Sequence, residues 1–361
     1  MKDDLFLTTS PIRLCNLLIA MFCYYLGAGH TIYCKNIKSG TVYRYAKDAA
    51  DGTKYINSND RDIRYASPND KRIAPEISAV LDELSRYEKV PDRQEATTIP
   101  MQQESRRRAQ QIGPHGFLWL EVAMADWDEA LLYIGARLSE WAQKDRSHRH
   151  PNNFMIREDR VNEASAFTLG DFSFSDSRGR TIRRPAALAN PESVYSIAIT
   201  FRWQKNKQHG EQKRYARNTT PGGICCVSAL LRILRRFVTL FGADDLRTPV
   251  AAYLDRRTNR PQLITSVEIN AHLRSLAEVV YDLDPTKDED RLALSKWTSH
   301  SYRIGACVIL HSLGYDATTI QFLLRWRSLA FTAYLRSTIT LAERQAQDFN
   351  RAVILFNNND T

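Results

Sequence analysis

Residues 298–336 read TSHSYRIGACVILHSLGYDATTIQFLLRWRSLAFTAYLR, and this stretch decides how the rest of the chain is understood. Thr298 or Ser299 can cap a helix, which puts His300 and Arg303 near its start. Three residues apart, the two side chains share one helix face. A helix start also carries unpaired N–H groups and a positive end, both favourable to an anion. Gly314 can end this helix and Asp316 can cap the next. Trp326 then falls near the end of the second helix, with Tyr334 eight residues further on. A single H-x-x-R is a common string, and a late Tyr usually packs against a core. The four residues at these spacings form a much rarer combination.

Working backwards, helical patterns cover the stretch from Ile224 onward, with the charged run Asp282–Arg291 expected as a loop. Arg232, Arg235 and Arg236 read as a solvated or DNA-facing edge. Before them stand three strand candidates, Ala166–Phe174, Ser193–Trp203 and Gln212–Arg217. The last two are joined as a hairpin by Gln204–Glu211, which contains Gly210. Residues 143–165 are polar and read as an exposed insertion. Gly116–Trp141 is strongly apolar and helical, with Asp126 and Asp128 expected to mark a break or cap. Residues 89–110, with Pro91, Pro100 and Arg106–Arg108, read as a linker. Ahead of it, Ile77, Val80, Leu81 and Leu84 have helical spacing behind Pro75. The polar run from Lys47 to Asn69 suits a loop. Leu14–Gly29 is apolar, but it is shorter than the roughly 20 residues that span a bilayer. Asp3 and Asp4 precede it, which is wrong for a basic leader, so it reads as a buried helix. The order is helices, a small antiparallel sheet, then helices. The expected fold is mainly α with that small sheet (α+β).

The chain has 361 residues, Lys+Arg 50 against Asp+Glu 41, a formal charge of +9. With 43% hydrophobic and 25% charged residues it has the material for a full core, which excludes disorder of the whole chain. The basic excess leans toward nucleic acid. Six cysteines are scattered without C-x-x-C or zinc spacing, which fits reduced, buried thiols inside a cell and no metal.

The H-x-x-R, Trp and Tyr pattern resembles the tyrosine recombinase (phage-integrase-like) family, in the form carried by recombinases of eukaryotic mobile elements. The resemblance gives His300, Arg303, Trp326 and Tyr334 the family's catalytic places. It also directs attention upstream. The family's first arginine lies in an R-x-S-E box, and Gly135–Glu140 reads GARLSE, matching Arg137 and its acidic partner Glu140. The family's hairpin lysine is matched by QKNKQHG at 204–210, with Lys205 preferred and Lys207 as the alternative. Either lysine could instead be a plain phosphate contact.

The resemblance implies a helical DNA-clamping (core-binding) domain over 1–105 and a catalytic domain over 106–361. It implies cleavage and rejoining of double-stranded DNA through a 3′-phosphotyrosyl intermediate, with no cofactor and no metal. It further implies self-association, as a tetramer on DNA, with the tail 339–361 docking on a neighbouring protomer. The expected location is the nucleus of a eukaryotic host, with no membrane partner. A type IB topoisomerase-like monomer and a catalytically dead DNA-binding derivative are the alternatives.

The chemistry suits these residue types. Arginine forks can hold the non-bridging oxygens of a phosphodiester and offset its charge. A Tyr hydroxyl, with an ordinary pKa of about 10, needs neighbouring cations and a base such as His300. Trp326 can donate its indole N–H to a phosphate oxygen. A lysine can protonate the leaving 5′-oxygen.

Overall fold

The computed structural model describes residues 11–29, 37–57, 62–67, 70–88, 93–142, 166–202, 209–220, 223–326 and 331–335. The chain divides into two compact units, Met1–Asp92 and Arg93–Thr361.

The first unit holds α1 (Ile12–Gly27), α2 (Ser39–Asn57), a hairpin of β1 (Tyr65–Ser67) with β2 (Asp70–Ile73), and α3 (Pro75–Arg86). Pro75 opens α3 where a missing N–H costs nothing. Ile77 is buried, with Val80, Leu81 and Leu84 packed beside it, as their spacing requires. α1 sinks Cys15, Ile19, Ala20, Cys23 and Leu26 into the same core but leaves Leu17, Met21, Tyr24 and Tyr25 exposed. The helix expected to be buried is thus buried along one face. Asn16 ties its inner face to the hairpin region, donating from Nδ2 to the Ile63 carbonyl at 2.7 Å. Residues 47–57, expected as loop from their polarity, continue α2. Val42, Ala46 and Ala50 recur every four residues and form a narrow buried stripe among polar neighbours. Among the described residues no helix is long and apolar enough to cross a membrane.

The second unit begins earlier than the expected boundary at 105/106. Thr97 N–H donates to the Ser301 carbonyl at 3.1 Å, and Ser105 Oγ donates to Asp128. The second half of the stretch 89–110, expected as a linker, belongs to α4 (Ile99–Ile112). Its Arg107 and Arg108 pair with Glu104, and Arg108 also donates to Ser275 Oγ at 2.9 Å. α5 (Leu120–Ile134) and the single turn α6 (Leu138–Trp141) follow.

A four-stranded antiparallel sheet comes next. It comprises β3 (Phe172–Ser175), β4 (Thr181–Ile182), β5 (Ser196–Phe201) and β6 (Glu211–Ala216) in the order β4-β3-β5-β6, with α7 (Arg184–Ala189) between β4 and β5. β5 is central and almost wholly buried, while β6 alternates between half-buried and exposed. The β5–β6 hairpin fits the sequence reading. Only the end of the 166–174 candidate is a strand, because Thr168–Asp171 closes a capped turn instead.

α8 (Cys226–Phe241), the hairpin β7 (Ala252–Asp255) with β8 (Arg260–Leu263), and α9 (Ser266–Tyr281) continue the unit. Then come α10 (Asp288–Leu294), α11 (Ser301–Ser312), α12 (Ala317–Leu324) and α13 (Thr332–Leu335). The β7–β8 hairpin had no counterpart in the sequence reading. α10 takes the end of an expected loop, from Asp288 onward, and Asp288, Glu289 and Asp290 in its first turn complement the positive helix end. The fold is thus mainly α with small antiparallel sheets.

Asp126 and Asp128 neither break nor cap α5. Two residues apart, they point about 200° around the helix from one another. Asp126 meets Arg232 at 2.5 Å and also Arg236 of α8. Arg236, expected on a solvated or DNA-facing edge, is 1% exposed. Asp128 accepts from Tyr302 of α11 and from Ser105, and lies 2.7 Å from His272 Nε2 of α9. One helix is fastened on two sides by buried carboxylates, each with a stated partner.

Candidate active site

Thr298 and Ser299, expected to cap α11, instead lie in the turn before it, and His300 occupies the cap position with no side-chain cap bond. Thr298 Oγ1 accepts from the His300 N–H at 3.3 Å, and Ser301 Oγ accepts from the Thr298 N–H at 3.0 Å. His300 sits at the cap and is half-buried, and Arg303 follows one turn later, 1% exposed. The Tyr302–Asp128 bond and the edge of the Tyr302 ring on Trp141, centroids 6.0 Å apart, lock this turn against α5 and α6.

The Arg303 guanidinium joins helix ends. Nη1 donates to the Gly135 carbonyl at the end of α5, and Nη2 donates to the Leu324 carbonyl of α12 at 2.7 Å. These are carbonyls that a helix leaves without an internal partner, at its negative end. The guanidinium carbon also lies 4.4 Å from the Trp326 ring centroid. The group expected to fork a phosphate is thus anchored to two helix termini, and with five N–H donors it keeps others that an oxyanion can use.

Gly135 makes this geometry possible. It ends α5 in the left-handed region at φ +53°, and a Cβ there would lie 2.7 Å from Leu324 Cδ2. Arg137, two residues on, caps α6. Its own N–H and its Nη1 donate to the two oxygens of Glu140, each at 2.9 Å. The R-x-S-E box therefore folds as a turn in which Glu140 accepts from both the backbone and the side chain of Arg137, with Arg137 22% exposed and Glu140 2% exposed.

Arg137, His300 and Arg303 are close enough for their charges to act on one another. Burial, then the Arg303 and Arg137 charges, lower the His300 pKa below 6.5, so its imidazole is neutral at pH 7. Burial and the charges of Arg137 and Arg325 push Arg303 down to about 9, against the pull of Glu140. It remains cationic at neutral pH.

Trp326 is half-buried, and its ring lies 6.0 Å from Phe331. Phe331 and Leu335 are buried in a small core with Ala306 and Cys307 of α11 and Ile320 and Leu324 of α12. That core seats α13, and hence the backbone of Tyr334, beside the His300–Arg303 helix. The Tyr334 side chain, Lys205, Lys207 and the tail 339–361 lie outside the described residues, as does the insertion 143–165.

The sequence reading missed Arg325. Its side chain is fully buried and donates from Nη2 to Glu140 Oε2 at 2.9 Å and from Nη1 to the Ile134 carbonyl at 3.2 Å. A cation closing an apolar helix end, in LLRW, was the available signal.

No family model and no curated protein matches the chain. It is similar to solved structures of an integrase and of recombinases. One is the Tn1549 transposon integrase in complex with transposon right end DNA, at 14% identity and TM-score 0.45, covering 95% of this chain and 87% of that one. Another is XerA recombinase, at 13% identity and TM-score 0.38, covering 94% and 93%. A third is XerH site-specific recombinase bound to a palindromic difH substrate after cleavage, at 12% and 0.44, covering 92% and 72%. Likeness at this level gives no residue a role and the chain no activity.

Proposed function

We propose that this chain is a tyrosine recombinase that cleaves and rejoins double-stranded DNA, with Tyr334 as nucleophile. One observation carries the reading. Arg137, from a distant stretch of sequence, comes within charge range of His300 and Arg303, and Arg303 lies against Trp326 beside the core that seats the Tyr334 segment.

In the proposed reaction the Tyr334 oxygen attacks the scissile phosphorus and the bond to the 5′-oxygen breaks. His300, neutral at pH 7, takes the phenol proton. Arg137 and Arg303 hold the non-bridging oxygens as negative charge builds on them. Lys205, or Lys207 in its place, gives a proton to the departing 5′-oxygen. The product is a 3′-phosphotyrosyl bond and a free 5′-hydroxyl. Attack by a 5′-hydroxyl reverses each transfer and rejoins the strand without a nucleotide cofactor. The reading extends to a mobile element, a DNA-bound tetramer, the tail 339–361 as a protomer contact and a eukaryotic nucleus.

A nicked duplex that loses its 5′-fragment on cleavage tests the reading. Denaturing electrophoresis should show a protein–DNA adduct with the wild type. Tyr334→Phe should give none while retaining DNA binding. An adduct that survives Tyr334→Phe removes the nucleophile assignment. DNA binding without any wild-type adduct points to a dead derivative.

A further inference from the structure

We propose that Arg325 is a positioning residue, the second cation on Glu140, which fixes the Arg137 guanidinium for catalysis. The inference rests on the function proposed above. Arg325 ends α12 at φ 56° and ψ 45°, left-handed backbone that side-chain-bearing residues rarely adopt. A glycine would adopt it freely. The arginine side chain holds this unfavourable place through three contacts. Its guanidinium lies 3.5 Å from the Phe201 ring centroid on β5 and donates to the Ile134 carbonyl and to Glu140.

Glu140 links the two arginines. Oε1 takes the Arg137 Nη1, while Oε2 takes both the Arg137 N–H and the Arg325 Nη2. With one oxygen anchored from the core by Arg325, the carboxylate plane is fixed, and so is the direction of the Arg137 fork. Without Arg325, Oε2 would be held by the Arg137 backbone N–H alone, and the carboxylate could swing about that single bond together with the Arg137 side chain. The charges also suit a phosphate. Arg137, Arg303 and Arg325 around Glu140 leave two positive charges in surplus. A phosphodiester carries one negative charge, and the five-coordinate state formed by phenolate attack carries two. The proposed role of Arg325 is to place one of these charges, that of Arg137, through Glu140.

The test is a pair of measurements on the full chain. The first is the adduct-forming rate at saturating nicked DNA for wild type, Arg325→Gly, Arg137→Ala and the double variant. Arg325→Gly should lower that rate ~10–100-fold, as small misplacements of catalytic groups do. The DNA concentration for half-saturation should hardly move. In the Arg137→Ala background the same change should cost little more, because the two residues act as one unit. Equal factors in both backgrounds would overturn the proposal.

The second measurement needs no activity. The Nε–Hε signal of Arg137, identified by its loss in Arg137→Lys, should report an ordered side chain in wild type and an averaged one in Arg325→Gly. Unchanged order overturns the proposal. Absence of a wild-type adduct removes the functional reading, and the order measurement still decides the positioning claim. Where Arg325→Gly melts below the assay temperature, Arg325→Lys serves both measurements. It keeps the charge, loses the planar fork, and should show smaller shifts in the same direction.

Discussion

At the scale of single residues, His300 and Arg303 show how burial prepares a site. His300 loses part of its hydration and faces two guanidiniums, which lowers its pKa from the ordinary 6.5. A base must be unprotonated to act, so adduct formation should rise with pH through a point below 6.5 and then level off near neutrality. His300→Asn should remove that limb from the pH–rate profile; its survival would assign the proton to another group. Stability follows the same shift. Between the lowered folded pKa and the unfolded value near 6.5, the unfolded chain binds the extra proton. Stability is therefore full above 6.5 and falls as pH drops toward the folded value. Thermal melts of wild type and His300→Asn should diverge in that window, with the wild type losing more on acidification. The pattern of His300, Arg303, Trp326 and Tyr334 was legible because it is local, set by spacing on neighbouring helices. Arg325 was not, because its meaning depends on Glu140, 185 residues away.

At the scale of elements, α5 organises the second unit. Its Asp126 face is fastened to α8, its Asp128 face to α4, α9 and α11, and its last carbonyls to Arg303 and Arg325. Periodicity located this helix but not the purpose of its acids. An isolated Asp in a helical pattern reads as a cap or break until its partner is known, and Arg236 lies 110 residues further along. Apolar spacing likewise located the β5–β6 hairpin and most helices. It missed β7–β8 and the polar end of α2, where the buried stripe is thin. Asp126→Ala leaves the buried Arg236 guanidinium without its carboxylate and should cost about 3–5 kcal/mol in denaturant unfolding. A loss below about 1 kcal/mol, the scale of an exposed pair, would show that the α5–α8 contact is not carried by this charge. Gly135→Ala combines left-handed strain of about 1–2 kcal/mol with the contact on Leu324. Because the Gly135 carbonyl also receives Arg303, this substitution should slow adduct formation at saturating DNA as well as lower the melting temperature. A variant that melts lower but cleaves at the wild-type rate would separate the turn from the site.

At the scale of the molecule, the division at Asp92/Arg93 separates two cores. The first unit buries Cys15, Ile19, Val42, Ala46, Ile63 and Ile77 together. The large core of Met101, Trp127, Trp141, Phe174, Phe201 and Phe237 lies wholly after residue 93. So do Arg137, Glu140, His300, Arg303, Arg325 and Trp326. A domain with its own core can fold alone. A fragment spanning residues 93–361 should therefore be helical by circular dichroism and melt in one cooperative transition. One starting at 106 should not, because it lacks the first half of α4 and the Thr97 and Ser105 bonds to the rest of the unit. The two fragments separate the observed boundary from the one suggested by the basic, proline-containing run. If residues 1–92 act as a clamp, the 93–361 fragment loses phosphate contacts but no catalytic group. Its adduct-forming rate at saturating DNA should stay within a few fold of the full chain, while far more fragment is needed to reach saturation. Its binding should also depend less steeply on salt, because fewer counterions are released per complex. An unchanged salt slope with unchanged affinity would show that the first unit does not hold the duplex. A lost rate at saturation would place part of the catalytic machinery before residue 93.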